Sequence, residues 1–151
     1  MRAIKFRGKR LDNGEWVYGS LCNYLFEGMK KTEPCIHIGN LGYIKNAFYQ
    51  VAPDTVGQFT GLLDKNGKEI YEGDVLKGTT NKWVMEDKPE PHDFVGYVRW
   101  ESQCDIGMEW VLTTMDSTGS DPLNVYVHCV AIDYSTGVII GNIHDNPELL
   151  R

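Results

Sequence analysis

Glu69, Glu72 and Asp74 are the carboxylates best spaced for chemistry in this chain. If Tyr71 to Val75 is extended, Glu72 and Asp74 project to one face, because alternate strand residues share a side. Glu69 then approaches across a turn. Carboxylates so placed hold a divalent ion, or divide the work of acid and base in a metal-assisted hydrolase. The same residues also have a structural reading. Gly73-Asp74 marks a turn, and an Asp there caps backbone N–H groups.

A second constellation is cationic. Lys5, Arg7 and Lys9 alternate with Ile4 and Phe6, the period of a half-buried strand. Trp16 and Tyr18 follow on the expected neighbouring strand. Cations beside stacking rings are what a single-stranded nucleic acid requires. The alternative is a solvated edge strand whose lysines block aggregation.

Other chemistry has less support. Cys35 and His37 share a strand face, and Cys22 or His128-Cys129 would add ligands. Structural zinc usually takes a close Cys-x-x-Cys pair, and none occurs. There is no Gly-x-Ser-x-Gly. Gly61 to Lys68 misses a phosphate loop: the spacing is one residue too long, and Glu69 stands where Mg²⁺ needs Ser or Thr.

The elements that must position these groups are short strands. At 151 residues, with 42% hydrophobic and 24% charged content, the chain has the size and composition of one globular domain. Net charge is −6, which argues against a general nucleic-acid binder. Yet Arg2, Lys5, Arg7, Lys9 and Arg10 all precede the first acid, Asp12. No stretch resembles a signal peptide or a membrane span. The expected location is therefore the cytoplasm, where the four cysteines stay reduced.

Asn13-Gly14 predicts a tight hairpin between Phe6 and Trp16. Cys35–Ile38 and Phe48–Val51 are the next strands, with a turn at Gly39–Gly42. Asp64-Lys65-Asn66-Gly67 predicts a second hairpin. Residues 77–93 read as a long exposed loop. Strands follow at Val95–Trp100, Glu109–Leu112, Val125–Ile132 and Val138–Ile143. Turns at Asp116–Asn124 and Ser135–Gly137 divide them. Asn146-Pro147 opens at most one helical turn, through Leu150. Residues 70–145 fit a small SH3-like barrel, with residues 1–54 as an appended N-terminal sheet and 55–151 as hairpin junction plus barrel.

Three blocks carry a family likeness. They are Ile4–Arg10 with Gly14–Gly19, Val56–Leu62 with Lys65–Asp74, and Ile139–Leu150. On these the chain resembles the YopX-like proteins of phages and prophages. Phe59 and His144 stand where that family commonly has Tyr. The resemblance implies a β-rich fold with an SH3-like barrel and a phage origin, and it carries over no catalytic residue.

The expectation is a mainly β, β-rich α+β protein: an N-terminal antiparallel sheet followed by a small SH3-like barrel. Its expected role is a non-enzymatic accessory protein in the bacterial host cytoplasm, with an unknown protein partner or its own copies. Nucleic-acid binding and metal-assisted hydrolysis are the alternatives. The expected binding residues are Lys5, Arg7, Lys9, Trp16, Tyr18, Gln58, Thr60, Glu72 and Asp74. No catalytic residue, metal ligand or cofactor is assigned.

Overall fold

A computed structural model describes residues 4–39, 47–80, 92–103, 107–114 and 137–150. Among them the chain is mainly antiparallel β, with ten strands and no α-helix. No helix among the described residues is long and apolar enough to cross a membrane. The chain divides into two compact units, Met1–Gly61 and Leu62–Arg151.

The first unit holds β1 (Phe6–Lys9), β2 (Trp16–Tyr24), β3 (Glu33–Ile38), β4 (Ala47–Gln50) and most of β5 (Gly57–Leu63). Their order across the sheet is β4-β3-β2-β1-β5. β1 is therefore an inner strand, hydrogen-bonded to β2 and to β5. That corrects the edge-strand reading of its lysines. The first hairpin reverses at Asn13-Gly14 as expected, through a wider loop than a tight turn. The Arg10 amide donates to the Glu15 carbonyl at 2.9 Å, which leaves a four-residue loop. Gly14 takes the left-handed position at φ 73°, and the Asn13 side chain accepts the Glu15 amide.

One face of this sheet is its core. Val17, Ile36 and Val51 are buried together, with Phe6, Tyr49 and Val56 packed against them. The sheet curls around that cluster. An isolated bridge joins Arg10 to Val51, and the Ala52 amide donates to the Lys9 carbonyl at 2.9 Å. The curl leaves no room on its inner side at two glycines. A Cβ on Gly8 would meet Val51 at 2.9 Å, and one on Gly19 would meet the His37 carbonyl oxygen at 2.2 Å. The 3-10 turn Pro53–Thr55 closes the circuit. Its Thr55 hydroxyl accepts the Lys9 amide at 2.9 Å and donates to the Ala52 carbonyl.

The second unit begins with the end of β5 and its hairpin to β6 (Glu69–Tyr71). It continues with β7 (Asp74–Thr80), β8 (His92–Gln103), β9 (Gly107–Thr114) and β10 (Val138–Asn142). The last four form an antiparallel sheet ordered β10-β7-β8-β9. Val75, Leu76 and Val98 are fully buried in it. This sheet is open among the described residues, where a closed SH3-like barrel was expected over 70–145. The strand expected at Val125–Ile132 and the turn at 116–124 lie outside the described residues, as do Asn40–Gly42, Ser135 and Thr136.

The expected loop at 77–93 is shorter than its polarity suggests. β7 runs through Thr80 and β8 starts at His92, with residues 81–91 outside the described set. Pairing against β8 on one side and β10 on the other supports a strand that composition alone does not. Gly78 is required there: a Cβ would meet the Phe94 ring at 2.8 Å and the Gly137 Cα at 2.9 Å.

The chain ends as expected in a single 3-10 turn, Pro147–Leu150. The pairing of β10 with β7 shifts register between Ile139 and Gly141. The Asn146 side chain reaches back to the Asn142 amide and occupies the space where a Gly141 side chain would be.

Candidate functional site

The cationic residues do come together. Register sets Arg7 opposite Tyr18 and Lys9 opposite Trp16. Alternation then puts Lys5, Arg7, Lys9, Trp16 and Tyr18 on one face of the first sheet, away from the core cluster. The face continues along β2 through Ser20, Cys22 and Tyr24, opposite His37, Cys35 and Glu33 of β3. Phe48 and Gln50 of β4 lie opposite His37 and Cys35.

The charges on this face are committed locally. The Arg7 guanidinium lies 4.7 Å from the Trp16 ring centre, and Arg7 is buried. A guanidinium over an indole face is the favoured cation–π geometry, strengthened by desolvation. The Lys5 ammonium sits 5.6 Å from the Phe59 ring centre. On the other face, Arg10 covers Tyr49 at 4.2 Å and pairs with Asp12 at the hairpin. The hydrogen bond to Asp12 raises the Arg10 pKa, against a smaller desolvation.

The far end of the face is aromatic. Tyr24 stacks on Phe48, with centroids 4.5 Å apart and planes at 17°. Phe26 meets Tyr24 edge-on at 5.0 Å, and His37 lies 4.7 Å from Phe48. Tyr18, Tyr24 and Phe48 are all exposed. Leu25 and Met29, in the chain after β2, are exposed as well. Tyr18 is on the face expected from the sequence, whereas Tyr24 and Phe48 carry no sequence signal that would place them there. Register is what joins them, since they lie far apart in the chain.

Gln58 and Thr60 do not join this face. Gln58 is opposite Phe6, so both project from the other side. Thr60 is buried.

The acids lie in the second unit, and each is held by backbone or a near neighbour. Residues 72–73 form a turn between β6 and β7, so the extended segment that would have aligned Glu72 with Asp74 is absent. Gly73 takes φ 82° there. Asp74 is buried and its Oδ2 accepts the Tyr71 amide at 2.8 Å. Glu72 Oε1 accepts the Trp100 amide at 3.4 Å. Glu69 Oε2 accepts the Tyr71 hydroxyl at 2.7 Å. Among the described residues, no group of three His, Cys, Asp or Glu side chains is placed to hold a metal ion. His128 and Cys129 lie outside the described residues.

Asp64 is the acid that the spacing argument passed over. It is buried at the first position of the second hairpin. Its Oδ1 accepts the amides of Asn66 and Lys68, both at 2.8 Å, and its Oδ2 accepts the Ile139 amide at 3.2 Å. Burial alone would raise the Asp64 pKa. The amides of Lys68, Ile139 and Asn66, with the Lys68 charge, outweigh it and hold the carboxyl below its usual range. An Asp opening an Asn-Gly turn was the available signal.

Fold and site together define a two-unit antiparallel β protein with an aromatic and cationic sheet face and structurally employed acids. The chain belongs to the YopX family, described as "YopX protein", whose model matches residues 5–151. Among solved structures it is similar to protein EF1440 from Enterococcus faecalis, at 22% identity, with all of both chains covered and a TM-score of 0.46. No curated protein matches the chain.

Proposed function

We propose that this YopX-family chain is a phage-derived accessory protein that works in the host cytoplasm by binding another protein or its own copies, without catalysing a reaction. The observation that supports the reading is the row Tyr18, Tyr24 and Phe48, exposed on the sheet face opposite the Val17–Ile36–Val51 cluster. Aromatic side chains bury large area at low entropic cost, so an exposed group of them suits a protein interface.

The test pairs a Tyr24→Ser/Phe48→Ser variant with the parent. Circular dichroism verifies that both fold. Sedimentation velocity reads self-association, and a pull-down from prophage-induced cells, with and without nuclease, reads partners. A specific partner or self-association lost in the variant supports the reading. A variant that keeps every interaction of the parent sinks it.

A second reading, nucleic-acid binding, is favoured by the clustering of Lys5, Arg7, Lys9, Trp16 and Tyr18 on one face. It is weakened by Arg7, which is buried against the ring that a base would need. Electrophoretic shift at low salt checks it, because phosphate contacts are strongest there. The hydrolase reading has less behind it, since Glu72 and Asp74 accept backbone amides and Glu69 accepts the Tyr71 hydroxyl.

A further inference from the structure

We propose that Cys22 and Cys35 are a reversible dithiol–disulfide pair that staples β2 to β3. The two residues are directly opposite in the antiparallel register. Their sulfurs are 2.9 Å apart, closer than non-bonded sulfurs ordinarily sit, and both are free thiols. Directly opposed strand residues have Cα atoms about 4.5–5.5 Å apart, inside the span that a disulfide bridges. Oxidation therefore needs side-chain rotation and little backbone movement.

The two thiols are not equivalent. Cys22 is half-buried and Cys35 fully buried, so a reagent reaches Cys22 first. Burial, and then the hydrogen bond and charge of Cys22, push the Cys35 thiol up to about 12. Cys35 thus keeps its proton until its neighbour has reacted.

The oxidant is a low-molecular-weight disulfide of the glutathione class. The Cys22 thiolate attacks one of its sulfurs, the S–S bond breaks, and the first glutathione thiolate leaves with the electron pair. Cys35 then gives its proton to that thiolate, and the Cys35 thiolate attacks the Cys22 sulfur, expelling the second glutathione thiolate, which takes a proton from water. Two protein thiols lose two hydrogens, and one glutathione disulfide becomes two thiols. The bond constrains the unfolded chain by closing the segment between the two cysteines. It also lies beside Tyr24, the next residue on that face. The inference does not depend on the binding role proposed above.

The experiment equilibrates the purified full chain in glutathione redox buffers, quenches with acid, alkylates and digests with trypsin. Lys30 and Lys31 lie between the two cysteines, so the bond appears as two joined peptides that separate on reduction. The expected result is loss of both thiols as one Cys22–Cys35 linked species, reversed by dithiothreitol, with a higher Tm in the oxidised form. A Cys104→Ser/Cys129→Ser variant should oxidise in the same way, and Cys22→Ser should form no intramolecular bond at Cys35. Exclusive linkage through Cys104 or Cys129 would overturn the assignment. So would a glutathione adduct that persists on Cys22 without passing to Cys35.

Discussion

Asp64 and Ile139 are joined by one hydrogen bond, from the Ile139 amide to the Asp64 carboxylate at 3.2 Å. The bond anchors the tip of the second hairpin to the start of β10. A parallel tie runs from the Lys65 amide to the Gly137 carbonyl at 2.8 Å. One buried side chain thereby sets a local turn and a long-range register.

Asp64→Ala should destabilise the second unit by about 3 kcal/mol, because it strands buried amides without an acceptor. Asp64→Asn should cost less, since one carbonyl oxygen survives. The sign of the pH dependence follows from the lowered pKa. The stabilisation is fully present above the unfolded carboxyl value of about 4 and is lost as pH falls through the folded value. Urea unfolding across acid pH checks this: Asp64→Asn should show a shallower acid loss than the parent. An identical slope would be contrary to the account.

Arg7→Ala should cost about 2 kcal/mol through the lost Trp16 contact and the lost packing of the stem. The cost should change little between low and high salt, because a buried charge is poorly screened. Denaturant unfolding at two ionic strengths measures it. Strong salt dependence would point to a solvated Arg7.

Two glycine substitutions should separate steric from conformational demand. Gly19→Ala forces a Cβ onto the His37 carbonyl and should cost about 3 kcal/mol or more. At Gly67 a Cβ meets nothing within 4 Å, and the difficulty is its φ of +79°. Gly67→Ala should therefore cost only about 1 kcal/mol. Thermal unfolding of both variants ranks them, and the reverse order would undo the steric account of the curl.

Asp74→Ala should lower stability by about 2 kcal/mol, with Asp74→Asn closer to the parent, because an amide oxygen still accepts the Tyr71 N–H. Millimolar Mg²⁺, Mn²⁺ or Ca²⁺ should leave the parent Tm unchanged. A rise of several degrees that disappears in Asp74→Asn would instead make Asp74 a ligand.

Sequence read the strands better than the turns. Alternation located β1, and β-branched and aromatic runs located β3, β4, β8 and β10, because each strand has a side to bury. The loop expected at 77–93 differs at its start because Lys77, Gly78, Thr79 and Thr80 carry no strand-like pattern; their strand state comes from pairing with β8, joined at Lys77 by β10. Asn13-Gly14 correctly marked a reversal, while its loop length depended on where Arg10 pairs. In the candidate site, Lys5, Arg7 and Lys9 were legible as one face. The burial of Arg7 was not, because it requires Trp16 from the next strand. Tyr24 and Phe48 meet only through β3, which no local pattern reports.

The inner position of β1 has a consequence for the order of folding. In synthesis from the N-terminus β1 emerges before β2, β3, β4 and β5, yet its second neighbour is β5. The Phe59 amide that satisfies the Lys5 carbonyl at 2.8 Å, and the Val51 bridge to Arg10, both arrive late. Contacts of such sequence separation slow folding. β1 is thus completed only once β5 has formed, and until then its open edge is exposed to other chains.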